Sequence, residues 1–329
     1  MKILVTGAGS LLGQGIIRTL KKIDINFHLI AVDINPYSAG LYWVNEKFII
    51  PNAESPSYLQ SIKKLLFETK PDFLFIGTDV ELLCLSQNKK NLEEEFNTKI
   101  IVSNLDVINI ADDKFKTKVF LKENGFDYPE TADPDDQNSL NNLIKTKGFP
   151  LIVKPRVGAR SFQVKKVENK NDLDIEIKKI KAPIVQEYIG SDLNEYTASA
   201  LCFENKCNAL IILRRDLRDG NSYRTYYVEN NFFEHKVREW AEALNPFGPV
   251  NFQFRVNEKG NPIVFEINAR FSGTTPLRAI MGFNEVEMCI RKLGYNQDII
   301  QPKIKDYTII RHWSETAIES SEPYKIKKI

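Results

Sequence analysis

The first hundred residues alternate short, unbroken apolar runs with amphipathic helical patterns, and this alternation restricts the possible fold more than any other feature of the chain. Predicted strands cover residues 2–6, 28–32, 73–76 and 99–102, and predicted helices cover residues 12–22, 58–67 and 81–89. Strands that lack polar alternation are buried on both faces, as in a parallel sheet covered by helices. The sequence therefore predicts an open α/β domain at the amino end.

The pattern changes after residue 102. Two helices are predicted at 107–111 and 114–124, followed by a solvated acidic loop at 133–136. Further strands are predicted at 151–154, 163–167, 184–188, 196–203, 208–213, 251–256 and 263–267, and further helices at 231–244 and 285–293. The Lys-rich end, 324–329, is predicted to be a frayed tail. A length of 329 residues fits two domains, which we place at 1–110 and 111–329.

Composition excludes several classes of protein. Lys and Arg number 45 against 43 Asp and Glu, which is too balanced for whole-surface attraction to nucleic acid or anionic lipid. No apolar run approaches the roughly 18 residues of a membrane span, and Gly7 interrupts the apolar start at once, so we expect a cytoplasmic protein. The four cysteines form no C-x-x-C pair and the three histidines are scattered, which argues against a zinc or histidine-rich metal centre.

A glycine-rich turn joins the first strand to the first helix. Gly7, Gly9 and Gly13 are spaced as G-x-G-x-x-x-G, and Asp33 ends the next strand. This pattern is close to the dinucleotide-binding fingerprint of NAD(P) enzymes. The alternative is a tight strand-to-helix turn that faces an anionic substrate or solvent, and the second half of the sequence favours this alternative.

Several polar residues in the second half lie at the ends of apolar strands, where they need partners. Lys154 ends one such strand beside a small loop containing Gly158, an arrangement suited to a phosphate, although a strand-ending lysine commonly just reaches solvent. The strand that ends in Gln186, Glu187, Tyr188 and Ile189 offers backbone groups to an adenine edge. Glu195, further along, is suited to ribose hydroxyls, with a plain surface carboxylate as the alternative.

The strongest local pattern is a pair of consecutive strands near residue 260. Period-two alternation places Asn251, Gln253 and Arg255 on one face, and Glu266, Asn268 and Arg270 share a face of the next strand. Pairing the strands brings Gln253, Glu266 and Asn268 together as oxygen ligands for Mg²⁺ held jointly with phosphates. Arg270 is predicted to neutralise phosphate charge.

Taken together, these residues resemble the ATP-grasp superfamily, especially the ligase halves of the carbamoyl phosphate synthetase large subunit. The resemblance spans nearly the whole chain and implies a Rossmann-like preATP-grasp domain followed by a two-lobed ATP-grasp domain, with a lid lobe at about 145–190 and a large lobe at about 190–315. It implies that ATP is bound through Lys114, Lys154, the loop from Gly158 to Ser161, the hinge Gln186 to Ile189, and Glu195. The implied ion is Mg²⁺, or Mn²⁺, at Gln253, Glu266 and Asn268.

The resemblance implies an ATP-dependent carboxylate–amine ligase that forms an acyl phosphate and releases ADP and phosphate. Its expected partners are a small-molecule carboxylate and an amine, and a homodimer stays open. Arg270 and Arg215 are the candidate catalytic residues, Arg214 and Arg224 are further candidates for anion binding, and Asp79 or Glu81 is suited to an ammonium group. Three alternatives remain: an NAD(P)-dependent oxidoreductase or epimerase, a carbamoyl-phosphate-synthetase-like subunit that works with a partner chain, and a nucleotide-binding regulatory module without turnover. The presence of Lys154, Glu266 and Asn268 argues against the regulatory module.

Overall fold

The amino-terminal part of the chain is a parallel α/β sheet. In the computed structural model, which describes residues 1–158 and 163–329, its strands are β1 (Lys2–Val5), β2 (His28–Asp33), β3 (Glu46–Ile49), β4 (Phe73–Phe75) and β5 (Lys99–Ile101). They lie in the order β3-β2-β1-β4-β5, and every pair is parallel. The helices are α1 (Leu11–Leu20), α2 (Tyr58–Thr69) and α3 (Leu82–Phe96), with a 3-10 turn at Ala39–Tyr42. The predicted parallel α/β domain is confirmed.

The strand order reverses at β1, which lies between β2 and β4. Open α/β sheets bind ligands at such a switch point, beyond the carboxyl ends of the strands. The glycine-rich turn follows β1 at this edge, and Asp79 follows β4. Two helices, α4 (Leu105–Asp112) and α5 (Lys114–Glu123), then lead into the second half of the chain.

A four-stranded antiparallel sheet forms a small lobe. Its strands are β6 (Thr131–Ala132), β7 (Leu151–Pro155), β8 (Lys165–Val167) and β9 (Pro183–Glu187), in the order β6-β9-β7-β8. Helices α6 (Gln137–Lys147) and α7 (Lys170–Lys179) complete the lobe. Leu140 and Leu143 of α6 and Leu173 of α7 pack with Leu151 and Val153 of β7 in a separate apolar core.

The second antiparallel sheet has six strands in the order β14-β13-β10-β11-β12-β15. The strands are β10 (Glu195–Phe203), β11 (Lys206–Arg218), β12 (Asn221–Tyr227), β13 (Gly248–Val256), β14 (Pro262–Asn268) and β15 (Thr308–Ile310). A 3-10 turn at Asp192–Asn194 precedes them, and the helices are α8 (Asn231–Leu244), α9 (Thr275–Ile280), α10 (Glu285–Tyr295) and α11 (Glu322–Lys325). Trp240 of α8 packs against Phe252 and Phe254 of β13, with ring centroids 5.7 Å apart in both contacts.

The end of the chain returns to the amino-terminal sheet, so the prediction of a frayed tail is wrong. Strand β16 (Lys327–Lys328) pairs in parallel with β3, and the Ile329 amide donates to the Ile49 carbonyl at 2.9 Å. Ile326 is buried. The physical reason is that β3 would otherwise present an unpaired edge, and the apolar residues among the lysines anchor the strand that covers it.

The two halves share apolar cores. Ile16 and Ile17 of α1 lie in one buried cluster with Val286 and Ile290 of α10. A second cluster joins Leu4 of β1 to residues of the six-stranded sheet. In the described ranges, no helix has the length and apolar character required to cross a bilayer.

Candidate active site

The predicted oxygen ligands meet on the strand pair β13–β14. Gln253 lies opposite Glu266 and Asn251 opposite Asn268 in the antiparallel register. The Gln253 amide group donates to Glu266 Oε1 at 3.5 Å, and the Asn268 amide group donates to the same oxygen at 3.0 Å. The two amide oxygens each accept from an arginine, at 2.7 Å for Gln253 and 2.8 Å for Asn268. Together with the Glu266 carboxylate they form a set of neutral and anionic oxygens, the donor type that suits a hard cation.

This set contains a single carboxylate. Across residues 1–158 and 163–329, no group of three or more His, Cys, Asp and Glu side chains is placed to hold a metal ion. The strand pair therefore fits Mg²⁺ or Mn²⁺ only together with oxygens from elsewhere, such as those of a polyphosphate.

Arg270 lies just beyond β14 and connects this set to the amino-terminal domain. Its guanidinium donates to Asn268 Oδ1 at 2.8 Å and to the Phe271 carbonyl at 2.9 Å. Its Nε donates to Asp79 Oδ1 at 2.5 Å. The structure thus places Arg270 beside the predicted metal ligands and pairs it with Asp79. Sequence reasoning named both residues but not their pairing, because 191 positions separate them.

Arg215 is held beside the same strand pair by Glu195. Two of its N–H groups donate to Glu195 Oε1, at 3.1 and 2.6 Å, and its Nη2 also donates to Gln253 Oε1 at 2.7 Å. Two N–H groups of Arg255 donate to Glu195 Oε2, at 3.0 and 2.7 Å. Burial opposes ionisation of Glu195, but the two guanidinium charges outweigh it and hold the pKa of this carboxyl below its ordinary value.

This arrangement bears on the ribose-binding role predicted for Glu195. Its carboxylate already accepts four N–H bonds, which is its full capacity. A ribose hydroxyl can reach Glu195 only if one guanidinium turns away. Arg255, which sequence reasoning placed on the polar face but did not assign to the site, is therefore part of it. Its guanidinium also lies 5.0 Å from the centroid of the Tyr188 ring.

Lys154 is buried at the end of β7, as the sequence predicts for a phosphate-binding lysine. Its Nζ donates to Gln186 Oε1 at 2.6 Å and to the Phe265 carbonyl at 3.4 Å, both neutral acceptors. Burial, with a smaller contribution from the nearby cations Lys114 and Arg255, lowers the pKa of Lys154 to about 7. A buried ammonium without an anionic hydrogen-bond partner is favourably placed to receive an anion.

The four predicted hinge residues differ in the contacts that they make. The Gln186 side chain turns inward: its amide group donates to Thr131 Oγ1 at 2.9 Å, and its oxygen holds Lys154. The backbone N–H of Glu187 donates to the Glu130 carbonyl at 2.8 Å, while its carboxylate accepts from Lys147 at 3.0 Å. Tyr188 and Ile189 follow β9 and line the cavity described next. Of the four predicted hinge residues, Gln186 and Glu187 thus use their side chains for bonds within the protein.

A cavity of about 140 Å³ collects most of the predicted nucleotide-binding residues. Its lining includes the predicted residues Lys114, Lys154, Gln186, Glu187, Tyr188, Ile189, Glu195, Arg215, Gln253 and Glu266. Apolar Ile152, Val164 and Leu217 also line the cavity. Asn268 and Arg270 line adjoining cavities. The predicted Ser161 lies outside the described residues.

Lys114 reaches this cavity from the first turn of α5. Its Nζ donates to the Gly158 carbonyl at 2.7 Å. The preceding Asp113 caps α5 by accepting from the Phe115 and Lys116 amides, and it also accepts from Arg156 at 2.9 Å. These contacts attach the linking helix to the end of β7 and so fix the position of Lys114.

The glycine-rich turn uses its amides internally. The Gly9 N–H donates to Asp33 Oδ2 at 2.7 Å, and the Gly13 N–H donates to Ser10 Oγ at 2.9 Å. A Cβ on Gly13 would lie 2.1 Å from the Gly7 carbonyl oxygen, so glycine is needed there for close packing. These contacts fit the interpretation as a tight turn better than the interpretation as a pyrophosphate site.

The cavity beside this turn is acidic. It measures about 410 Å³, and Asp33, Glu54 and Glu81 line it without a lysine or arginine among the described lining residues. Glu81 is buried and accepts from the hydroxyls of Thr6, Tyr58 and Thr78 at 2.6–2.7 Å. Burial raises the pKa of Glu81. The predicted alternative role of Glu81 as a helix-starting residue agrees with its position just before α3.

Comparison with known families agrees with this geometry. Residues 111–274 match the ATP-grasp domain, and residues 3–101 match the PylC-like N-terminal domain. The chain is therefore an ATP-grasp protein with a PylC-like amino-terminal domain. Within this superfamily it resembles the large chain of carbamoyl phosphate synthase.

Individual relatives are distant. The chain is 25% identical over 307 residues to the carbamoyl phosphate synthase large chain of Caldanaerobacter subterraneus, covering 84% of this chain and 27% of that one. It thus spans about a quarter of the length of that relative. It is 24% identical over 313 residues to the formate-dependent phosphoribosylglycinamide formyltransferase of Prochlorococcus marinus, covering 88% of this chain and 75% of that one.

Solved structures show the same fold. The N5-carboxyaminoimidazole synthetase of Staphylococcus aureus, complexed with ADP, superposes with a TM-score of 0.73 at 16% identity, covering 92% of this chain and 79% of that one. The L-amino acid ligase of Bacillus licheniformis superposes with a TM-score of 0.67 at 16% identity, covering 92% and 73%. These matches establish the two-part architecture predicted from the sequence.

Proposed function

We propose that this protein is an ATP-dependent carboxylate–amine ligase that works through an acyl phosphate. The observation that carries the proposal is that Lys114, Lys154 and Arg215 line one cavity together with Gln253 and Glu266. Arg270 donates to Asn268, the third oxygen ligand of β13–β14. Phosphoryl transfer depends mainly on positioning and on neutralising charge, and this arrangement supplies both.

The nucleotide has a consistent place in this arrangement. Tyr188 and Ile189 provide a wall for the adenine. Lys154 of β7 and Lys114 of α5 face the phosphates. Gln253, Glu266 and Asn268 would hold Mg²⁺ or Mn²⁺. When bound, such an ion supplies neutralising charge to the phosphate oxygens.

The proposed reaction has two steps. A carboxylate oxygen of the substrate attacks the γ-phosphorus, the bond to the β-phosphate oxygen breaks, and ADP leaves. The amine nitrogen then attacks the acyl carbon, phosphate leaves with the C–O bond pair, and the nitrogen loses a proton. Arg270 and Arg215 stabilise the negative charge on the transferred group, because their planar forks pair well with phosphate and carboxylate.

Two other functions have less support. An NAD(P)-dependent oxidoreductase would bind the dinucleotide at the glycine-rich turn, where the amides of Gly9 and Gly13 are already used and the adjoining cavity is acidic. One observation favours a subunit that works with a partner chain: this chain spans only 27% of the length of the carbamoyl phosphate synthase large chain. The same ATP-dependent chemistry would apply in that case.

The test is ADP release from ATP and Mg²⁺ in the presence of carboxylates and amines, with the variant Glu266→Gln. This change keeps size and hydrogen bonding but removes the anionic metal ligand. We expect turnover to fall by about 100-fold, the scale on which one electrostatic group acts at a reaction centre. Glu258→Gln is the matched control, because Glu258 is exposed in the β13–β14 turn. If the Glu266→Gln variant kept full activity, the reaction could not depend on the strand pair β13–β14.

A further inference from the structure

A buried ion pair lies beside strand β13. Arg278 of α9 donates to both carboxylate oxygens of Glu285, at 3.1 and 3.2 Å, and neither side chain is exposed. Glu285 also accepts from the hydroxyls of Ser199, at 2.5 Å, and Thr275. A buried ion pair commonly adds little stability compared with apolar residues of similar volume. Stability alone therefore does not account for this pair.

Arg278 also fixes the orientation of the Asn251 side chain, which is only 1% exposed. Its Nη2 donates to Asn251 Oδ1, and the Thr197 hydroxyl donates to the same oxygen at 2.8 Å. A guanidinium can only donate, so the oxygen of the amide, and not its NH2 group, must face Arg278. Asn251 lines a cavity of about 70 Å³, and its nitrogen has no hydrogen-bond acceptor in the part of the chain that the structure describes. The NH2 group is therefore left to donate to a ligand in this cavity.

A second donor is fixed in the same way. Ser272 Oγ accepts from Arg278 Nη2 at 2.9 Å and from the Thr274 amide at 3.2 Å. These bonds use both lone pairs of Ser272 Oγ, so its own hydrogen is donated to Thr274 Oγ1, 2.7 Å away. The Thr274 hydroxyl hydrogen then has no acceptor among the described residues, and Thr274 lines the same cavity. Arg278 thus leaves one amide donor and one hydroxyl donor for a ligand there.

The charged groups around this cavity balance one another. They are Asp79, Glu266, Arg215 and Arg270. Asp79 pairs with Arg270 at 2.5 Å, and Arg215 pairs with Glu195 at 2.6 Å. Because the lining carries no net charge, charge alone does not select the substrate group that enters. Neutral donors in fixed positions select an oxygen acceptor over an ammonium group, which can only donate.

We infer that Arg278 is a positioning residue of the proposed ligase: it orients Asn251 and, through Ser272, Thr274, so that this cavity receives an oxygen of the carboxylate substrate and not the amine. The inference rests on the proposed function and assigns a place to one of its substrates. Arg278 is not among the described residues that line the cavity, so it acts through the residues that do. Arg215 and Arg270 supply positive charge to the carboxylate and to the acyl phosphate of the proposed first step.

The first measurement tests turnover by the unchanged protein. ADP release and hydroxamate formation are followed with MgATP, hydroxylamine and formate, acetate, glycine, glutamate or hexanoate. The hydroxylamine nitrogen attacks the acyl carbon of an acyl phosphate, phosphate leaves, and a hydroxamate forms. The carboxylate with the highest kcat/KM is then used with the variants. ADP release with none of the five carboxylates, despite ATP binding, would overturn the proposed function and the inference with it.

The variant Asn251→Asp tests the amide donor. It keeps the size of the side chain and an oxygen for Arg278, but it replaces the NH2 group by an anionic oxygen that repels a carboxylate. We expect KM for the carboxylate to rise by more than about tenfold with a smaller change in kcat, because the donor contacts the substrate in the ground state as well as in the transition state. Asn208→Asp is the matched control. Asn208 lies in the β10–β11 hairpin, where its Oδ1 accepts from the Phe203 amide, and KM should stay unchanged.

The paired variant Arg278→Met with Glu285→Gln tests the positioning role. Arg278→Met alone would leave Glu285 buried without its cation, whereas the pair removes both charges and should change Tm little. We expect the pair to raise KM for the carboxylate about tenfold, but less than about threefold when it is introduced into Asn251→Ala, since Arg278 then has no amide to orient. A lower Tm with an unchanged KM, equal effects of the pair with and without Asn251, or an unchanged KM in Asn251→Asp would overturn the inference and leave the ligase function standing.

Discussion

At the scale of single residues, we expect Lys154 to make the candidate site sensitive to pH near neutrality. Its pKa of about 7 means that much of the protein carries a neutral Lys154 above pH 7. Bound phosphates favour the charged ammonium and raise this pKa, so binding at pH 8 must take up a proton. Binding of an anionic ligand therefore favours the protonated form of this buried lysine.

We therefore expect ADP affinity to fall as pH rises above 7, by up to about tenfold per unit until the pKa of the bound state is reached. Titration calorimetry at pH 8 in buffers of different ionisation enthalpy measures the proton uptake directly. Lys154→Met should abolish the uptake and weaken binding, whereas Lys147→Met, which removes an exposed lysine paired with Glu187, should preserve it. Binding without proton uptake at pH 8 would assign a different protonation state to Lys154.

Residue-level sequence reasoning succeeded where contacts are local or follow strand periodicity. Period two and one short turn were enough to bring Gln253 beside Glu266. The Arg270–Asp79 pair and the double clamp on Glu195 depend on side chains from distant strands. The packing of the sheets sets how these distant side chains lie relative to one another, and no local pattern in the sequence predicts that packing.

At the scale of elements, regular apolar patterns predict most strands and helices, but they do not predict elements that are mainly polar. Helix α7 buries only Leu173, and strand β12 carries mostly polar and aromatic residues, so neither shows a clear periodicity. Strand β16 was missed for a related reason. Its two lysines point to solvent-exposed positions, and its stability comes from the β3 edge and from the flanking isoleucines.

The anchoring of β16 gives a stability prediction. Ile326 is 7% exposed, so Ile326→Ala should leave a cavity and destabilise the protein by about 2–4 kcal/mol. Ile300→Ala is the control, because Ile300 is 81% exposed and its truncation should change little. Chemical denaturation monitored by circular dichroism measures both. Equal, small effects of the two substitutions would mean that the carboxyl-terminal strand contributes little to the fold.

At the scale of the whole molecule, the amino-terminal domain and the ATP-grasp lobes both contribute side chains to the candidate site. Asp79 from the first sheet reaches Arg270 at the end of the second, and shared apolar clusters hold the sheets together. A parallel α/β domain with a glycine-rich turn is commonly associated with dinucleotides, yet here Asp79 of this domain pairs with an arginine of the neighbouring domain. Lysines and arginines line the cavity at β13–β14, whereas the cavity at the turn has acidic side chains, so we expect ATP to bind at β13–β14 rather than a dinucleotide at the turn.

This charge distribution predicts a selective response to ligands in thermal unfolding. A ligand that binds only the folded state stabilises it by about 2.7 kcal/mol at 100 times its Kd, which corresponds to several degrees in Tm for a protein of this size. We expect ATP with Mg²⁺ to raise Tm by that amount, and NADPH at the same concentration to leave it unchanged, because Asp33 and Glu54 repel phosphates at the glycine-rich turn. Differential scanning fluorimetry with and without EDTA measures the shift, and Glu266→Gln should lose the part that depends on Mg²⁺ while the unliganded Tm stays close to its original value. A shift with NADPH and none with ATP would move the nucleotide to the amino-terminal domain, since the cations at β13–β14 would then have no phosphate to neutralise.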